Sequence, residues 1–163
     1  MPSMIRAATF LGRDNGPEEA DKAIQALAVA APYELGAYSR LYPTYLRDEA
    51  YLEAQQGTAA AAEFQKILDH RGVVLNDPIG ALAHLGLGRG YALEAGIDVG
   101  ADLRVRPGSR TARDGGAHTR APLQSDALAK ARAAYQDFFA LWKDADPDIP
   151  ILKEATAEYV KLQ

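Results

Sequence analysis

The chain has 163 residues, 48% of them apolar and 25% charged, which is the composition of a globular domain with a sizeable core, not of a disordered segment. Its net charge of −4 gives it no general attraction to nucleic acid or anionic lipid, and the absence of cysteine excludes disulfide scaffolds and thiolate metal sites. No apolar run approaches the ~20 residues needed to span a bilayer.

The opening Met1-Pro2-Ser3-Met4-Ile5-Arg6 lacks the basic-then-apolar order of a signal peptide, so a cytoplasmic location is expected. Residues 3–12 read as a short helix with Met4, Ile5, Ala8 and Leu11 on one stripe. The turn Asp14-Asn15-Gly16 leads into Pro17, well placed as the first residue of a helix over about 17–30. That helix turns Ala20, Ala23, Ile24, Leu27 and Ala31 inward and stops at Pro32.

A third helix is predicted over about 41–56 and a fourth over 59–70, with Thr58 as N-cap and Gly72 at the exit. Asn76-Asp77-Pro78 opens a fifth, with Asp77 as N-cap, which stops at Gly96. A sixth is predicted from Ser125 or Asp126 to Lys143, and Asp146-Pro147-Asp148 starts a last one carrying Ile151, Leu152, Ala155, Tyr159 and Leu162. The pattern is seven helices and no convincing strand.

Small and aromatic residues recur in this series at fixed phase. Tyr51, Gly57, Ala60, Phe64 and Ile67 form one set; Tyr91, Gly96, Ala131, Tyr135 and Phe138 form a second. Such recurrence marks stacked helix–turn–helix units, each unable to bury its apolar face alone. Tyr51 precedes Ala60 by nine residues, the usual spacing of a tetratricopeptide unit, whereas Tyr91 precedes Ala131 by forty. The excess is rich in glycine and proline and reads as an insertion over about 97–125, expected to be flexible.

Candidate chemistry is sparse. His70, His84 and His118 lie on different elements without ligand spacing, so no metal is expected. Asp144, Asp146 and Asp148 alternate, but Ile149 and Ala155 stand where a calcium loop needs glycine and glutamate, so they read as a capped turn. Gly86, Gly88 and Gly90 fall inside a helix, not after a strand, which favours close helix packing over a phosphate loop. The insertion carries Arg104, Arg106, Arg110, Arg113 and Arg120 against Asp102 and Asp114. No aromatic is interleaved, so nucleic-acid binding is disfavoured. No cofactor and no catalytic residue are expected.

The repeat phase does point to a concave groove. Taking Tyr51 and Tyr91 as equivalent core positions, it predicts that Tyr42, Tyr45, Glu49, Leu52 and Glu53 line the groove from one unit. Leu82, Leu85, Arg89 and Leu93 line it from the next. Tyrosine and arginine are the usual energetic anchors of protein interfaces.

Four strings resemble a particular family. They are Ala50-Tyr51-Leu52; Ala62-Glu63-Phe64-Gln65-Lys66-Ile67-Leu68-Asp69-His70-Arg71-Gly72; Asp77-Pro78-Ile79-Gly80-Ala81-Leu82-Ala83-His84-Leu85; and Ala133-Ala134-Tyr135-Gln136-Asp137-Phe138 continuing through Trp142 to Leu152. Together they are similar to the carboxy-terminal tetratricopeptide-repeat region of eukaryotic-like bacterial serine/threonine protein kinases. In that family a kinase domain precedes the repeats. This chain has no Gly-rich nucleotide loop with a strand lysine, no His-Arg-Asp and no Asp-Phe-Gly, so the resemblance implies the repeat module alone.

The expected fold is therefore all-α: a right-handed helical-hairpin solenoid forming one domain over residues 1–163. Its helix pairs span about 3–30, 41–71 and 77–143, with a capping helix over about 147–162. The expected function is non-catalytic capture of a peptide or protein partner in the groove, the partner including a kinase domain in cis. Alternatives are a regulatory or sensory tail of such a kinase, extracytoplasmic if that kinase is membrane-anchored, and a self-associating repeat protein or gene remnant.

Overall fold

The computed structural model describes residues 17–33, 35, 41–99 and 121–163. Among the described residues there are seven α-helices and no strand. They are α1 (Pro17–Ala28), α2 (Tyr42–Glu53), α3 (Gly57–Asp69), the single turn α4 (Arg71–Val74), α5 (Pro78–Glu94), α6 (Ala121–Leu141) and α7 (Pro150–Val160). The predicted helix over 3–12 and most of the predicted insertion lie outside the described residues.

Helix α1 begins at Pro17 with Glu18 and Glu19 in its first turn, where carboxylates favour the positive end of the helix dipole. Ala23 and Leu27 are fully buried against Ala50 of α2, with Ile24 and Leu46 flanking. Leu41 takes a left-handed conformation (φ 61°) ahead of α2 and accepts the Tyr45 N–H at 2.9 Å. Gln55, at φ 58°, reverses the chain into α3.

Helix α5 is the centre of the molecule. Its glycines solve a spacing problem, because α3 crosses it on one side and α6 on the other. A Cβ on Gly86 would lie 2.2 Å from the Phe64 ring, and one on Gly90 would lie 3.0 Å from the backbone of Gly57 and Ala61. On the opposite side, a Cβ on Gly88 would lie 2.7 Å from the Tyr135 ring. Each aromatic ring occupies the volume that a side chain on α5 would need, which offsets the helix-propensity cost of about 1 kcal/mol per glycine.

Beside the small α1–α2 cluster, two larger apolar cores form around α5 among the described residues. One joins α2, α3, α4 and α5 around Leu41, Phe64, Ile67 and Ile79. The other joins α5, α6 and α7 around Leu85, Tyr135, Phe138 and Leu162. Ala60 and Ala131, the small positions that the sequence aligned, are both fully buried. In the second core Tyr135, Phe139 and Tyr159 meet in tilted and edge-to-face contacts with centroids 5.6–6.4 Å apart, and Arg132 donates to the Leu162 carbonyl at 2.6 Å.

Several predicted boundaries move. Helix α3 starts at Gly57 with Gln56 at the cap, not after Thr58, because the turn is made by Gln55. Gly72 is not an exit residue but lies inside α4, and the break comes at Leu75 (φ 54°, ψ −123°). Helix α6 starts at Ala121, four residues before Ser125, with Pro122 in its first turn. The start of the predicted insertion also belongs to the fold: Val99 is buried in the second core, beside the half-buried Ile97, and its carbonyl accepts from Lys161 Nζ at 2.9 Å. Asp77 caps α5 as predicted, accepting the Ile79 N–H at 3.2 Å, and Gly96 takes the left-handed conformation (φ 84°) that ends it.

Candidate functional site

The nine predicted groove residues divide into three settings. Tyr42 is 40% exposed, yet its hydroxyl donates to the Asp77 carboxylate at 2.9 and 3.0 Å, tying the start of α2 to the cap of α5. Leu52 packs partly buried on the first core and Leu82 on the second, while Leu85 is fully enclosed. Leu93 is half-buried beside Gly57, and Glu53 is half-buried on the last turn of α2.

Tyr45, Glu49 and Arg89 come together. Tyr45 stands edge-on to Phe64 with centroids 6.0 Å apart, and its hydroxyl is hydrogen-bonded to Glu49. Burial, reinforced by the charge of Glu49, pushes its phenol pKa well above the usual range. Glu49 in turn faces Arg89 on α5.

Arg89 reaches across to α7. Its Nε donates to Glu158 Oε2 and its Nη2 to Glu158 Oε1, both at 2.9 Å, a two-point match between guanidinium and carboxylate. Nη2 also donates to Glu154 Oε1 at 2.9 Å. Glu158 is buried and takes a further hydrogen bond from the Tyr135 hydroxyl of α6 at 2.8 Å. Burial alone disfavours the Arg89 charge, but the hydrogen bonds and charge of Glu158, with Glu49 and Glu154, reverse this and raise its pKa. The phenol of Tyr135 is raised by burial and by Glu158. One cation thus sits among three carboxylates contributed by α2 and α7.

Glu154, Glu158 and Tyr135 were not among the predicted site residues. The available signal was the i, i+4 spacing of the two glutamates on α7, which puts both on one face.

A second polar cluster lies between α2 and α3. Arg47 and Lys66 both pair with Glu63. Burial would raise the Glu63 pKa, but the hydrogen bonds from Arg47 and Lys66 outweigh it and lower it. Beside them Asp48 and Thr44 are fully enclosed, and among the described residues neither the carboxyl oxygens nor the hydroxyl has a hydrogen-bond partner. Burial, with repulsion from Glu63, pushes the Asp48 pKa up to about 10, so its side chain is a neutral acid at pH 7.

A cleft of about 580 Å³ opens where the end of α3, α4, the start of α5 and the end of α6 meet. Its walls include Ile67, Leu68, Ala81 and Ala140, with Arg71 and Asp137 near its mouth. His84 Nδ1 lies 3.8 Å from Asp137 Oδ2 without a hydrogen bond. Burial lowers the His84 pKa, partly opposed by Asp137. His70 Nδ1 instead approaches the Lys66 carbonyl at 2.7 Å, and His118 lies outside the described residues. Asp146 accepts the Asp148 N–H at 2.8 Å, the turn expected before α7. Among the described residues no group of three His, Cys, Asp or Glu is placed to hold a metal, and no helix is long and apolar enough to cross a membrane.

No protein-family model, curated protein or solved structure matches the chain.

Proposed function

We propose that the chain is a non-catalytic protein–protein interaction module of tetratricopeptide type, acting in the cytoplasm by holding a peptide along the face shared by α2, α5 and α7. In this reading α2–α3 and α5–α6 are successive helical hairpins of a right-handed solenoid, and α7 caps the stack. The observation that carries it is the Arg89 network. One side chain of α5 interacts with Glu49 of α2 and binds Glu154 and Glu158 of α7, which ties the three helices together and supports reading them as one face. Tetratricopeptide units expose the first helix of each hairpin on such a face, and the small-residue crossings at Gly57, Ala60, Gly90 and Ala131 set the spacing.

The energetics divide the groove residues by role. Leu85, Arg89 and Glu158 are consumed in holding the helices in register and would be costly to expose. Contact with a partner falls to the less buried Tyr42, Glu53 and Glu154. The test is to pan a displayed library of random peptides on the chain and rebind the enriched peptides to a Tyr42→Ala/Glu53→Lys variant. The reading predicts at least tenfold weaker binding to the variant with its helical signal unchanged. Equal binding to both proteins would place the interaction elsewhere.

A further inference from the structure

We infer that the cleft bounded by α3, α4, α5 and α6 is a self-association surface, in which Leu75 of each copy enters the cleft of the other about a two-fold axis. None of its lining residues is among those assigned above to peptide capture.

The first observation is a leucine in the wrong place for a monomer. Leu75 has φ 54° and ψ −123°, a backbone region that glycine adopts freely and branched side chains resist. Its side chain is 76% exposed, so contacts within the chain do not compensate for the conformation. Strained, solvent-facing apolar residues concentrate where something docks.

The second observation is the hole beside the knob. The cleft is large enough for a leucine side chain and its neighbours, and its lining includes the apolar Ile67, Leu68, Ala81 and Ala140. Leu141, which also lines the cleft, is exposed as well. An apolar lining with two exposed leucines is built to lose water on contact.

The third observation fixes the partner as a second copy. Arg71 is exposed and makes no side-chain hydrogen bond or ion pair with a described residue. Asp137 is largely exposed, with His84 Nδ1 at 3.8 Å from its carboxylate. The patch thus carries one exposed charge of each sign, together with its own knob and its own hole. A two-fold axis brings a patch onto itself, so complementarity to itself is what an isologous interface requires. A peptide reader would be expected to show one dominant sign of charge.

Sedimentation velocity over a concentration series spanning the micromolar range tests this. The wild-type mass is expected to rise from 17.5 kDa toward about 35 kDa, as two-fold closure demands. Leu75→Gly removes the knob and suits the backbone, so it should fold at least as well and remain at 17.5 kDa. Arg71→Glu and Asp137→Lys should each be monomeric alone, and an equimolar mixture of the two should regain the dimer through restored opposite charges. A wild type that stays monomeric throughout the series overturns the proposal. So does a Leu75→Gly variant that dimerises as readily as the wild type.

Discussion

Replacing Asp48 by asparagine should flatten the dependence of stability on pH between neutral and mildly alkaline solution. Asp48 is a carboxyl group held inside the α2–α3 packing without a hydrogen-bond partner, and its pKa is pushed from 3.8 up to about 10. The sign follows from which state holds the proton. Between these two values the folded chain keeps it and the unfolded chain releases it. Stability is therefore fully present below pH 3.8 and is lost steadily as pH rises through about 10.

Each pH unit inside that window costs about 1.4 kcal/mol of folding free energy. From pH 7 to pH 9 the Asp48 contribution is thus a loss of about 3 kcal/mol, a sizeable share of the total stability of a domain. This interval avoids His84, whose pKa is lowered in the fold and which therefore adds stability only as pH climbs toward its ordinary value of 6.5. Asparagine keeps the shape and polarity of the neutral acid but cannot ionise. Urea unfolding at pH 7, 8 and 9, with free energies from linear extrapolation, reads the two slopes directly. The wild type should lose about 2–3 kcal/mol more than Asp48→Asn over this range. Parallel slopes would mean that Asp48 is ionised in the folded chain, and that its enclosure is not what sets its protonation.

Three further outcomes follow from the same packing. Gly86→Ala should destabilise by about 2–3 kcal/mol, since its methyl would meet the fully buried Phe64 ring. Gly72→Ala meets nothing within 4 Å and should gain up to about 1 kcal/mol, so equal denaturant midpoints for the two variants would refute the crossing geometry. Arg89→Met should cost about 3–5 kcal/mol by stranding the buried Glu158, and Arg89→Met/Glu158→Gln should recover more than half of it. A double-mutant cycle showing simple additivity would count against the network. Replacing residues 101–120 by a short Gly/Ser linker should leave the melting temperature within a few degrees, as the reading of this Gly/Pro-rich stretch as an insertion requires. Extending the cut through 98–124 removes Val99 from the second core and should lower it by about 4–8 °C.

Much of the helical framework could be read from local chemistry, since the signals for it are local. Pro17, the Asp77-Pro78 pair and Gly96 each act within a turn of the chain, and each stands where it was expected. The starts of α3 and α6 were missed for different reasons. Gln55 and Leu41 make left-handed turns without the glycine or asparagine that would announce them, so Thr58 looked like the better cap. At α6 the signal is present in Pro122, which lies in the first turn, where proline is favoured, but the Gly/Pro-rich stretch before it masks the start.

The polar interior could not be read, and the reason is physical. Arg47-Asp48-Glu49 looks like a solvated helix face, and Glu154 and Glu158 look like ordinary surface carboxylates. Their burial is decided by partners up to 69 residues away. Helix periodicity identifies which side chains share a face but not what that face meets. Arg47 and Asp48 of α2 meet Glu63 of α3, while Glu154 and Glu158 of α7 meet Arg89 of α5 and, at Glu158, Tyr135 of α6. Close crossings leave little room for water, so any carboxylate at their edge must find a cation, as Glu63 and Glu158 do, or hold a proton, as Asp48 does.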